Sequence, residues 1–303
     1  MSADAVLLIA FGGPTQPSEI RPFLENVVRG RRIPPERLDE VAHHYELIGG
    51  RSPLNALTFQ QAEGLAAALG GTVPVYVGMR NWAPYLADTL ATMADAGIRR
   101  AVGLILSPHA TEASRERYIE TVDAGRAALG ARAPEIQYVP TWHLHPLFIE
   151  AVAENVGEAL GQLPPARRAD AMLVFTAHSV PTAMAATSPY VAEIGASSRA
   201  VAERLGHPRW QIAYQSRSGS PRDPWLEPDV NDALRTLAGA GTRDVVIVPI
   251  GFVCDHVEVL YDLDVEARAT AAQLGLGFVR ASAVNAGPRF VAMLADVVRT
   301  ALR

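Results

Sequence analysis

The chain predicts an α/β protein made of two similar lobes, each built on a parallel sheet, facing one another across a cleft. Three observations carry this. Short apolar, β-branched runs alternate with helical segments along the whole chain, the pattern of βα units. A segment of the first half recurs in the second. The residues richest in chemistry directly follow strand candidates, where open α/β sheets bind ligands.

The strand candidates are residues 5–10, 73–78, 101–106, 172–176, 210–214 and 245–250. Each is a short apolar run of the kind buried on both faces of a sheet. Helical periodicity fills the gaps, for example at 59–69, 85–96, 147–160, 190–205 and 230–239. Shifting 84–102 by 144 positions superimposes Pro84, Asp88, Leu90, Thr92, Ala94, Ala96, Gly97, Arg99 and Val102 on Pro228, Asp232, Leu234, Thr236, Ala238, Ala240, Gly241, Arg243 and Val246. A helix end wants Gly and a buried strand wants Val, so shared design explains part of this. Nine identities in register suggest more, and a cleft between two lobes is a preferred small-molecule site. The first lobe is expected at 1–145 and the second at 146–285. The last helix, 288–302, follows a loop of small residues, so 286–303 is expected to complete the first lobe. Residues 162–168, with their Pro-Pro pair, read as a surface turn.

At 303 residues the chain is long enough for two ordinary domains. The net charge of −5 argues against a nucleic-acid binder, which needs a basic footprint. The local cluster Arg29-Gly-Arg31-Arg32 suits a small anionic ligand instead. Cys254 is the single cysteine, so no intrachain disulfide or multi-cysteine metal site can form. The N-terminus lacks a basic region and runs straight into a strand, unlike a signal peptide. No apolar run approaches the ~20 residues of a membrane span. A cytoplasmic protein without a transmembrane segment is expected.

Residues 245–266 are the most informative stretch. After the buried run Val245-Val-Ile-Val248 and Gly251, a helical pattern carries Glu258, Asp262 and Glu266 four residues apart, stacking three carboxylates on one face. Each exposed like-charge pair costs roughly 0.2–0.5 kcal/mol. The stripe is either a solvated face or the lining of a cleft. Its apolar surroundings and its place after a strand end favour the cleft, where carboxylates attract cations or protons. His256 beside them adds an imidazole, a side-chain type suited to proton exchange.

Phe175-Thr-Ala-His178-Ser-Val-Pro181 places a histidine at another strand end. A lone histidine most often only satisfies a backbone bond; the functional alternative is a general base or metal ligand. His109 lies at the matching strand end of the first lobe with less support. The loop 215–229 carries Trp225, whose flat face either stacks on a ligand or plugs a core edge. Neither this loop nor Phe11-Gly-Gly-Pro14 has the glycine spacing of a dinucleotide fingerprint, so nicotinamide and flavin binding are rejected.

Several motifs together resemble the ferrochelatases, enzymes that insert iron into porphyrins. They are Leu7-Leu-Ile-Ala-Phe-Gly-Gly-Pro14, Tyr45-Glu-Leu-Ile-Gly-Gly-Arg-Ser-Pro53, Phe175-Thr-Ala-His-Ser-Val-Pro181, Tyr214-Gln-Ser216, Pro224-Trp-Leu-Glu-Pro-Asp229 and the run from Val248 to Asp262. They span essentially the whole chain in the family's order, most like the Gram-positive-type coproporphyrin III enzymes. The resemblance implies two Rossmann-like lobes with parallel four-stranded sheets, related by a pseudo-twofold axis, around a porphyrin cleft. It implies that His178 is the catalytic histidine, serving as iron ligand or proton acceptor, and that Glu258 is its partner across the cleft. Asp262 and Glu266 match the acidic row that passes metal in or protons out. Ferrous iron is then a substrate, and no cofactor is permanently bound.

Two departures follow. Phe11 stands where many Gram-positive members have a metal-facing tyrosine, and phenylalanine cannot ligate. With Cys254 alone, the iron–sulfur cluster of some members is expected to be missing. The expected porphyrin contacts are Phe11, Arg29, Arg31, Arg51, Ser52, Arg115, Tyr118 and Trp225; of these the arginines, Ser52 and Tyr118 could supply donors for several carboxylates, which suits the four propionates of coproporphyrin. Neighbouring heme-pathway enzymes are the possible protein partners. The other readings are a protoporphyrin IX ferrochelatase making protoheme, a cobalt chelatase for a related tetrapyrrole, and a porphyrin carrier without catalysis.

Overall fold

A computed structural model describes residues 3–30, 34–218 and 223–302. The chain divides into two compact units. The first comprises Met1–Leu106, Ala113–Thr141 and Asn285–Arg303; the second comprises Ser107–Glu112 and Trp142–Val284.

In the first unit, β1 (Ala5–Ala10), β2 (Val75–Met79), β3 (Arg100–Ile105) and β4 (Glu135–Tyr138) form a parallel sheet in the order β2-β1-β3-β4. Every residue of the central strand β1 is buried, as its unbroken apolar sequence requires. Leu7, Ile9, Leu86, Leu90, Met93 and Val122 pack on one face of the sheet. The terminal helix Pro288–Ala301 lies against helix Leu54–Ala68. Gly64 permits the approach: a Cβ there would sit 2.9 Å from Val291. Arg299 and Gln61 add bonds to the Ala68 and Asn285 carbonyls.

The second unit repeats the design. Strands β5 (Met172–His178), β6 (Trp210–Gln215), β7 (Asp244–Val248) and β8 (Gly277–Arg280) form a parallel sheet in the order β6-β5-β7-β8. The strand order matches that of the first unit term for term. The paired prolines of the sequence repeat, Pro84 and Pro228, both follow cis peptide bonds. The internal repeat is therefore structural as well as textual.

The chain leaves β5 toward one side of the sheet and β7 toward the other. The carboxyl ends of β5 and β7 thus flank the point where the winding reverses, where α/β sheets open a crevice. His178 ends β5, and the loop to Glu258 follows β7.

Three local expectations need correction. The edge strands β4 and β8 are absent from the strands read in the sequence. Residues 162–168 are more than a turn: Pro165–Arg168 is a short helix, Leu163 is buried, and Arg167 pairs with buried Asp244 through two hydrogen bonds of 2.7 and 2.5 Å. The acidic helix is not uniformly α-helical. An α-turn at Val257–Leu260 passes into a π-helical stretch at Asp262–Ala267, then returns to α at Arg268–Gln273. The Glu266 N–H reaches five residues back to the Tyr261 carbonyl at 3.0 Å. Wider winding of this kind recurs at functional sites.

Candidate active site

The site forms at the carboxyl ends of β5, β6 and β7. Gly251 draws the loop after β7 onto the end of β5. Its N–H donates to the Thr176 carbonyl at 3.0 Å, and a Cβ there would lie 2.7 Å from the Ala177 Cα. Only glycine allows two backbones that close. The following residues, through His256, then deliver Glu258 to His178.

His178 Nε2 lies 3.6 Å from Glu258 Oε1, and His256 Nε2 lies 3.4 Å from Glu258 Oε2. One carboxylate is thus flanked by two imidazoles. The His178 side chain is 29 % exposed and that of Glu258 38 %, so both are reachable from solvent. His178 Nδ1–H donates to the Ser179 carbonyl. That bond fixes the tautomer and leaves Nε2 as the basic nitrogen, aimed at Glu258. From the other side, Tyr190 Oη donates to the His178 carbonyl at 2.9 Å. Burial foremost, with the neighbouring Tyr214 and Glu258, holds that phenol far above its ordinary pKa, so it remains a donor.

The electrostatics sort the groups. Burial works against a charged His178, but the Glu258 carboxylate, helped by the Ser179 carbonyl and Asp262, outweighs it and raises the imidazole pKa. Burial would likewise raise Glu258, yet His178 and then His256 hold it well below the usual carboxylate range. Asp262 behaves oppositely. Burial pushes it up to about 7; a hydrogen bond from Ser216 resists, while Glu258 and Glu266 add to the rise. The site therefore holds a strengthened imidazole base, a firmly ionised carboxylate, and a second carboxyl that exchanges a proton near neutrality. Such a set is suited to taking protons from a substrate and passing them on.

Glu266, the last carboxylate of the row, is exposed. Among the described residues, no three His, Cys, Asp or Glu side chains are grouped to hold a metal ion.

The remaining candidates fall in several places. Trp225 bridges to Pro181 in the same unit, half-buried, and its indole N–H is buried without an acceptor among the described residues. In the first unit, Phe11 follows β1, is 38 % exposed, and meets Phe23 edge-on at 6.3 Å. Ser52 lies nearby, its N–H donating to the Pro14 carbonyl at 2.8 Å. Ser52 is only 6 % exposed and Tyr118 only 8 %; Tyr118 packs in the core beneath Arg80. Arg115 turns both terminal nitrogens to the Val139 carbonyl at 3.2 Å. Arg29 and Arg51 are exposed. Arg31 lies outside the described residues. Buried His109 belongs to the second unit, where Ser197 Oγ lies 2.8 Å from its Nε2, and burial, with His143 beside it, lowers its pKa to about 3. It is a neutral structural histidine. The sequence offered Gln215 and Ser216 only as part of a motif, without a role, and did not single out Arg280; all three bond to this segment from positions far apart in the chain.

Comparison with known proteins gives the family and the fold. The ferrochelatase family model matches residues 3–302. A coproporphyrin III ferrochelatase of Mycolicibacterium smegmatis is 45 % identical over 98 % of this chain and 89 % of its own length. One from Mycolicibacterium paratuberculosis is 47 % identical over 98 % and 88 %. Among solved structures, SirB from Bacillus subtilis with Fe3+ aligns with a TM-score of 0.62 at 11 % identity, covering 98 % of this chain and 95 % of that one. A cobalt complex of the sirohydrochlorin chelatase SirB aligns with a TM-score of 0.57 at 12 % identity, over 98 % and 94 %. These two similarities speak to the fold alone. The sequence matches, which run nearly end to end, decide the identity: the chain belongs to the ferrochelatase family.

Proposed function

We propose that the protein inserts ferrous iron into coproporphyrin III, giving coproheme and two protons in heme biosynthesis. The observation that carries this reading is the His178–Glu258 pair, with Nδ1–H of His178 committed to the Ser179 carbonyl and Nε2 directed at the carboxylate. Iron replaces two pyrrole N–H protons, so the reaction needs a base beside the macrocycle and a route for protons away from it.

In this reading His178 Nε2 takes the first proton. It is the stronger base of the pair, because Glu258 raises its pKa while Glu258 itself stays ionised. Glu258 stabilises the resulting imidazolium and, with His256 on its other oxygen, passes charge outward. Asp262, poised near neutrality, is the next acceptor, and Glu266 the exposed end of the row. The same carboxylates, when ionised, attract the incoming cation. Iron(II) accepts mixed nitrogen and oxygen donors, and the porphyrin supplies the nitrogens. Phe11 offers an apolar surface to the macrocycle and no metal ligand, Trp225 a ring to stack, and Arg29 and Arg51 partners for propionates. Among the described residues no helix is long and apolar enough to cross a membrane.

Anaerobic turnover with Fe2+ and coproporphyrin III tests the reading. The wild-type protein forms coproheme, and His178→Ala binds porphyrin but loses insertion by about 10²–10⁴-fold, the usual weight of a general base. Wild-type-like turnover in that variant rejects His178. Porphyrin binding with no turnover in the wild type makes the protein a carrier.

A further inference from the structure

The motif Tyr214-Gln-Ser216 has no role in the reaction as derived so far, yet Gln215 and Ser216 bond to the segments that carry His178, Glu258 and Asp262. Gln215 pairs with His178 across β5 and β6, and its carbonyl accepts from the Ser179 N–H at 2.7 Å. Its side-chain amide donates to the Glu258 carbonyl at 2.7 Å. Gln215 is buried, so these bonds are shielded from water. The next residue, Ser216, donates its hydroxyl to Asp262 Oδ2. It does so from a left-handed backbone, φ +62°, which costs a non-glycine residue free energy and persists where the surroundings enforce it.

We propose that Ser216 is a positioning residue of the metal-insertion site: anchored by Gln215, it orients the Asp262 carboxylate relative to His178 and Glu258. Two consecutive residues thereby hold the base, its partner and the next carboxylate in one register. The π-helical winding interrupts the usual α-helical ladder of that stretch, so a side-chain brace from a neighbouring strand has a distinct use there. The proposal rests on the iron-insertion reading above and adds to it a residue that touches neither iron nor porphyrin.

Two variants separate the hydroxyl from the backbone. Ser216→Gly removes the hydroxyl and suits the left-handed conformation. Ser216→Ala removes the hydroxyl and keeps the strain. If the hydroxyl positions Asp262, both raise KM for Fe2+ by roughly ten-fold, the weight of one hydrogen bond to a charged group. Coproporphyrin affinity, read by fluorescence titration, stays at the wild-type value in both. Only their Tm values differ, Ala below Gly. A purely structural role predicts a different result: Gly keeps the wild-type KM, or porphyrin affinity and turnover fall together with Tm. Either outcome overturns the proposal. Wild-type turnover in the same assay separates the two levels. If the wild type turns over and KM for Fe2+ is unmoved, only the Ser216 assignment fails. If the wild type does not turn over, both readings fail.

Discussion

Asp262 shows most directly how the site works against stability. Its carboxyl titrates near 7 in the folded chain, against an ordinary value of 3.8. Between those values the folded state holds a proton that the unfolded state has lost. Stability therefore falls as pH rises through this window and levels off above it. Asp262→Asn keeps the shape and removes the titration. Its Tm gain over wild type should be small at about pH 4, grow steadily, and be largest near pH 8. Iron insertion should fall over the same range, since Asn neither accepts a proton nor attracts the cation. Such an inverse relation marks a carboxylate retained for function. Thermal melts across that pH range check the first part; a gain that is flat with pH contradicts the assignment. His178 and Glu258 behave conventionally, each stabilising the other's charge. The raised imidazole contributes stability that is lost as pH rises through its folded pKa. The depressed carboxylate contributes stability that is lost as pH falls through its own.

At the scale of elements, the brace on the acidic segment is a guanidinium. Arg280, at the end of β8, is only 12 % exposed. It bonds Asp264 through Nε at 2.9 Å to both oxygens and Asp255 through Nη1 at 2.8 Å. Asp255 precedes His256, and Asp264 sits between Asp262 and Glu266. One side chain thus ties the loop that delivers Glu258 to the π-helical stretch that follows. Arg280→Met should cost about 3 kcal/mol, because it strands two partly buried carboxylates, and lower Tm by roughly 5–10 °C. Calorimetry decides; a loss within 1 °C, on the order of a surface substitution, refutes the brace. Arg268, on the exposed side, also bonds Asp264 and limits the damage. None of this was legible in the sequence, because Arg280 and Asp264 are joined only once β8 has docked beside β7. The strand β8 was itself invisible: Gly277-Phe-Val-Arg280 is four residues long and only partly buried. Glu135-Ile-Gln-Tyr138 hid for the same reason. The central strands, buried over most or all of their length, announced themselves as apolar runs. His178 and Glu258 were readable because both follow such strands. The π-helical winding was not, since side-chain spacing at four residues fits either helix.

At the scale of the whole molecule, the substrate turns on how many carboxylates the chain can meet. Coproporphyrin carries four propionates; protoporphyrin IX replaces two of them with vinyl groups. Among the described residues, Arg29 and Arg51 are the exposed arginines of the proposed contacts, while Arg115 is half-buried and turned to the Val139 carbonyl. An arginine that meets a propionate loses its partner when a vinyl takes that place, and the cost is about 1–3 kcal/mol where water is excluded. One such loss corresponds to roughly ten-fold in specificity constant. Coproporphyrin III should therefore exceed protoporphyrin IX in kcat/KM by about ten-fold or more. Arg51→Ala and Arg29→Ala should narrow the gap by lowering the coproporphyrin value, with protoporphyrin changing less. Raising ionic strength from about 0.05 to 0.5 M should narrow it further, as exposed charges are screened over shorter distances. Side-by-side steady-state kinetics on the two porphyrins test this. Equal specificity constants would make the protein a ferrochelatase indifferent to propionate number. A preference that survives both arginine replacements would move its origin to other residues.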